Sequence, residues 1–143
     1  MRNLSFLERN IMSDTKMNNS RIQKWIKIIK EDLGIKRKIP VRSSIHIPYH
    51  PEWDGLWDGF ARLDKGRMLI KINTVLLDND YQIVSVLAHE FRHIWQAING
   101  FYLSYKDDTK SEIDANRYMD DFVRRYKKEM RCLKYNEVSC LTA

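Results

Sequence analysis

Leu87-Ala88-His89-Glu90-Phe91-Arg92-His93-Ile94-Trp95-Gln96 sets two imidazoles four residues apart, with a carboxylate beside the first, in a stretch of helical spacing throughout. On an α-helix residues i and i+4 stand one turn apart on one face, so His89 and His93 can bind one Zn²⁺ while Glu90 addresses the attacking water. At 100° per residue, Ile83, Val84, Leu87, Phe91, Ile94, Trp95 and Ile98 form one apolar stripe, and His89 and His93 fall on the other side beside Gln82, Ser85 and Gln96. The helix is expected from about Tyr81 to Asn99, with Asp78-Asn79-Asp80 able to cap it and Gly100 stopping it. Alone, the pair also reads as two surface imidazoles on a polar face.

A third donor is sought downstream. After a loop, a long helix is expected from Thr109 to about Leu133, with Ala115, Met119, Phe122, Val123, Tyr126, Met130 and Leu133 on its inner stripe and Glu112 in line with them. A carboxylate aimed inward needs a cation, and a metal held by His89 and His93 supplies one. A second role competes for the same oxygens, because Thr109-Lys110-Ser111-Glu112 has the form of a capping box. Asn116, one turn beyond Glu112, is a candidate to hydrogen-bond a ligating histidine, whereas Asp114 points the opposite way and is expected in solvent. No histidine follows His93 and no cysteine precedes it, so a carboxylate has to complete the set.

Upstream, Ile22, Trp25, Ile26, Ile29 and Leu33 recur at three and four before Gly34, which predicts a first amphipathic helix from Ser20 to Leu33. Lys38 to Ile47, with Pro40 near its start, reads as an edge or first strand. Phe60 to Leu63 and Arg67 to Asn73 read as a hairpin turning at Asp64-Lys65-Gly66. The intervening loop holds Trp53 and Trp57, placed to fold back over the domain. His46 and His50 have ligand-like spacing, but Pro48 between them breaks any helix and argues against a second metal site. Tyr102, Tyr105 and His50 are candidates to steady a developing oxyanion.

The composition is ordinary for a soluble domain: 143 residues, 43% hydrophobic and 31% charged, with no apolar run long enough to span a bilayer. Residues 1–19 read as a flexible leader in which Met12 or Met17 is an alternative start, residues 20–134 as one domain, and residues 135–143 as a tail. Two cysteines, Cys132 and Cys140, make no disulfide framework, which favours a cytoplasmic location. Cys140 also raises the alternative of a latent enzyme whose tail blocks the metal. The net charge of +6, clustered at Lys24 to Lys38 and Arg124 to Lys134, reads as a generic basic surface; it allows a nucleic-acid partner without indicating one.

Taken together, these motifs resemble the gluzincins, metallopeptidases whose third zinc ligand is a glutamate on the next helix. Glu112-Ile113-Asp114-Ala115-Asn116 is similar to the E-x-x-A-N/D element of ImmA/IrrE-type peptidases, and Met68-Leu69-Ile70-Lys71-Ile72-Asn73 is similar to the strand before their active helix. The likeness runs from about Gly59 to Tyr126, and a stand-alone minigluzincin is the nearer comparison, with Arg92 where the family commonly has a small residue. It implies a zincin-like α+β domain with an N-terminal helix, a small twisted sheet, the motif helix and a long glutamate-bearing helix. It further implies Zn²⁺ on His89, His93 and Glu112, with Glu90 as general acid/base. The expected activity is hydrolysis of a protein or peptide substrate, as an endopeptidase rather than an exopeptidase. The alternative is a non-catalytic zinc module that recognises a protein or nucleic-acid partner. An edge strand at Arg67 to Asn73 would pair with an extended substrate.

Overall fold

A computed structural model describes residues 15–16, 20–43, 59–63, 66–73, 79–100 and 108–130. Helix α1, Ser20–Leu33, buries the expected Ile22, Trp25, Ile26, Ile29 and Leu33. It ends where Gly34 takes φ +68°, and Ile35 N–H reaches back to the Lys30 carbonyl at 2.9 Å while Gly34 N–H reaches that of Glu31 at 3.2 Å. Those two bonds satisfy carbonyls that the helix end would otherwise leave bare, and the positive φ they require is open to glycine at little cost.

Among the described residues four short strands form one mixed sheet: β1 (Thr15–Lys16), β2 (Val41–Ser43), β3 (Gly59–Arg62) and β4 (Leu69–Ile72), in the order β1-β2-β4-β3. Strands β3 and β4 make the expected antiparallel hairpin, pairing Gly59 with Ile72 and Arg62 with Leu69. Strand β2 begins just after Pro40 and runs parallel to β4, Val41 against Ile70, and it also takes β1 on its other side. This arrangement corrects two expectations. Strand β4 is interior, its second flank taken up by β2, so among the described residues the edge on that side is β3; and β2 has a neighbour on each side, one of them from the stretch read as a leader. Ile70 and Ile72, two apart on one face of β4, are completely buried.

Helix α2, Asp80–Ile98, packs against α1, β3 and β4. Asn79 caps it, its side-chain oxygen accepting from Gln82 N–H at 2.9 Å, and Gly100 at φ +71° follows its end. Ile83, Val84, Leu87, Phe91 and Ile94 are buried as the spacing requires, but Ile98, read on the same stripe, is 42% exposed because it lies on the last turn.

Helix α3, Asp108–Arg125, lies along α2. It is shorter than the apolar repeat predicts, since the chain turns over residues 126–129 and carries Tyr126 onto Phe122, ring centroids 4.6 Å apart, and against the edge of Trp25 at 6.0 Å. The repeat at Tyr126 and Met130 therefore marks residues packed on the core from a turn, which period alone does not separate from a helix. The architecture is α+β, and no helix among the described residues is long and apolar enough to cross a membrane.

Candidate metal centre

Because α3 packs along α2, the side read from sequence as polar and open is in fact an interior seam. His93 is buried there and His89 half-buried, their rings meeting edge to face with centroids 4.7 Å apart. Their Nε2 atoms stand 3.1 Å from each other. Glu112 reaches across from α3, with Oε1 2.8 Å from His93 Nε2 and Oε2 3.3 Å from His89 Nε2. Both carboxylate oxygens are thus committed to the rings, and Thr109 lies inside the helix rather than before it, so the capping-box role does not describe this side chain.

Two ring nitrogens and two carboxylate oxygens converging this closely require a cation among them, either a proton or a metal. Ligands about 2.0–2.1 Å from a tetrahedral Zn²⁺ are about 3.3–3.4 Å apart, and the ring nitrogens at 3.1 Å and the ring–carboxylate contacts at 2.8 and 3.3 Å are near that spacing, so the donor set suits zinc. Hydrogen bonds from His89 and then His93 hold the Glu112 carboxyl well below the usual carboxylate range, against the opposing effect of its partial burial. The carboxyl is 41% exposed, so it stands at the rim of the seam and not within the apolar stripe as expected.

Glu90 lies beside these donors. It is buried, and its Oε1 lies 3.9 Å from His89 Nε2. Burial raises its pKa, with a smaller push from Glu112, while His89 and His93 pull the other way. The strand beside it makes room: a Cβ on Gly59 would stand 2.4 Å from Val86 Cγ1, 3.3 Å from Glu90 Cγ and 3.4 Å from the Lys71 carbonyl oxygen. Gly59→Ala is therefore expected to push β3 away from α2 and turn Glu90. For a chain that hydrolyses its substrate through Glu90 at a zinc held here, turnover should fall about 10- to 100-fold, as expected for a displacement near 1 Å, while zinc content stays at wild-type level. Steady-state kinetics beside metal analysis checks this, and an unimpaired variant would show that the close approach of β3 is unimportant.

The polar residues around the ligands differ from those singled out in the sequence. Asn116 is exposed, and the group on His93 Nδ1 is Gln96 Oε1 at 2.9 Å. Asp114 is not in open solvent: Arg92 Nε and an Arg92 terminal nitrogen (Nη2) donate to it at 2.8 and 3.2 Å, and Gln96 Nε2 donates at 2.8 Å. The Arg92 bonds, with help from Gln96, keep its pKa low. Arg92 also lies over the Trp95 ring, 3.7 Å from its centroid. The legible signal for Gln96 was its position three residues after His93 on the same helix face. The basic cluster is partly neutralised, since Arg125 pairs with Asp32 and Asp121, and Arg124 with Asp121. Trp53, Trp57, His46, His50, Tyr102, Tyr105, Cys132 and Cys140 lie outside the described residues.

Comparison with protein-family models, with curated proteins and with solved structures returned no match.

Proposed function

We propose that this chain is a small zinc-dependent endopeptidase of gluzincin type with a zincin-like fold, acting in the cytoplasm on protein or peptide substrates. One observation carries the reading: the convergence of His89, His93 and Glu112 beside a buried carboxylate, Glu90, that is not needed as a ligand. His89, His93 and Glu112 would hold the ion. Zinc in such a set supplies Lewis acidity, bringing the pKa of water to about 7 and polarising a carbonyl.

Glu90 is the base in this scheme. Its carboxylate takes a proton from water as the oxygen attacks the peptide carbonyl, then passes that proton to the departing amine, so the residue returns to its starting state. A pKa raised by burial suits both halves of that exchange, because the carboxyl must gain and lose a proton near neutral pH. Strand β3, the last of the sheet on its side among the described residues, packs on α2 next to Glu90 and would accept an extended peptide by strand addition. Such pairing needs no free chain end, which favours an endopeptidase. A non-catalytic zinc module would leave unexplained the cost of keeping a carboxylate buried at Glu90.

The test is cleavage of an unstructured protein such as casein. New peptide ends are expected, phenanthroline should stop their appearance, and added zinc should restore it. Protein carrying a full equivalent of zinc that cuts nothing, or cleavage indifferent to chelation, would overturn the proposal.

A further inference from the structure

We infer that Gln96 presets the His93 ring for metal binding, by holding a proton on Nδ1 and so leaving the Nε2 lone pair for the ion. This rests on the reading of the site as a metal centre, and it concerns a residue outside the ligand set. Gln96 is completely buried, and both ends of its amide are engaged. Its Nε2 donates to the Ser111 carbonyl at 2.9 Å and to Asp114 Oδ2 at 2.8 Å. Neither partner has a proton to give, so the amide cannot turn over without setting lone pair against lone pair at two contacts. Its Oε1 is thereby the end presented to His93 Nδ1, and an amide oxygen only accepts. The ring nitrogen at 2.9 Å must carry the hydrogen.

The orientation of the amide is imposed from further out. Asp114 is held by the two-pronged Arg92 contact, and Arg92 lies over the Trp95 ring. Ser111 and Asp114 flank Glu112 on α3, so the amide that sets the His93 tautomer also fixes the helix bearing the third donor relative to the helix bearing the first two. One side chain thus aligns a ring and spaces two helices, as outer partners of metal-bound histidines do elsewhere.

Two substitutions separate the ring-orienting role from simple packing. Gln96→Met and Gln96→Glu both remove the two donated bonds and should both lower the melting temperature of the metal-free protein, but only Gln96→Glu keeps an acceptor for Nδ1–H. Zinc affinity measured by chelator competition is expected to weaken about 10- to 100-fold in Gln96→Met and to stay within about threefold of wild type in Gln96→Glu. Equal losses in the two variants, or none in Gln96→Met, would overturn the inference. A second measurement uses the unaltered chain, so neither variant has to fold. In zinc-loaded protein with nitrogen-15 in its histidines, His93 should bind through Nε2 and show a slowly exchanging Nδ1 proton. Binding through Nδ1, or a freely exchanging proton there, is contrary to the inference. Wild type that takes up no zinc sinks both this inference and the peptidase proposal, whereas tight zinc binding with an unaffected Gln96→Met sinks this one alone.

Discussion

Glu90→Gln is expected to lower peptide hydrolysis by about 10²–10⁴-fold, the range that a positioned acid/base supplies, while the protein keeps its full equivalent of zinc. The amide has the shape of the carboxyl and fits the same buried space between α2 and β3, but it neither takes a proton from water nor returns one to the amine. The three donors, His89, His93 and Glu112, are untouched. The stability of the metal-free protein moves the other way. Burial raises the Glu90 pKa above its unfolded value, so the folded state holds that proton longer, and stability falls as pH rises from the unfolded pKa through the folded one. Above the unfolded pKa the buried carboxyl is a cost to stability that the amide does not bear. Metal-free Glu90→Gln should therefore melt no lower than the wild type. Turnover on a quenched fluorescent peptide, zinc by mass spectrometry and a melting curve decide the matter together. A variant that turns over within tenfold of wild type removes Glu90 from the chemistry.

That a carboxyl is buried at some expense of stability helps explain which parts of this protein could be read from its residues. Elements whose signals are local came through: the i, i+3, i+4 stripe of α1 with its glycine stop, the Asn79 cap of α2, and the β3–β4 hairpin. The convergence of His89, His93 and Glu112 followed from the helix period that sets the two rings one turn apart and from the search for a third donor on the next helix, although Glu112 stands at the rim and not in its apolar stripe. What was not legible depends on partners far along the chain. The parallel pairing of β2 with β4 makes β4 interior and hands the edge to β3, and nothing in either strand's composition specifies that neighbour. A helical wheel treats each helix as if it stood in water on its polar side. Once α3 is laid against that side of α2, Gln96 and His93 become interior, Asp114 finds Arg92 and Gln96, and Asn116 is left outside. The polar face of α2 was a second packing surface, recognisable in hindsight from an arginine, a histidine and a glutamine, Arg92, His93 and Gln96, that all find partners on one helix.

Glu112→Ala should abolish stoichiometric zinc binding at micromolar protein, with affinity falling by more than the ~10–100-fold that outer partners alone are worth. The reasoning turns on charge as much as on ligand number. Two neutral imidazoles one turn apart offer a divalent ion only part of its shell, and Glu112 is the one anion of the set, kept ionised by its bonds to His89 and His93. In the metal-free protein that carboxylate pairs with His93, whose pKa ends up raised: burial pulls it down, but Glu112, Glu90 and Gln96 together push it further up. The stabilisation from that pair is fully present below the unfolded histidine pKa and fades as pH rises through the folded one. Zinc has the opposite dependence, because it competes with the proton for His93 and binds more tightly as pH rises. Wild type should thus respond to zinc with a melting-temperature increase that grows with pH, reaching roughly 10–20 °C at a thousandfold excess over Kd. Glu112→Ala should show almost none. Its own metal-free stability should change little, by less than about 1 kcal/mol, because the carboxyl is partly solvated and the pair correspondingly screened. A Glu112→Ala protein that still carries one zinc and gains the same thermal shift would mean that the glutamate is a bystander and that the third ligand lies elsewhere.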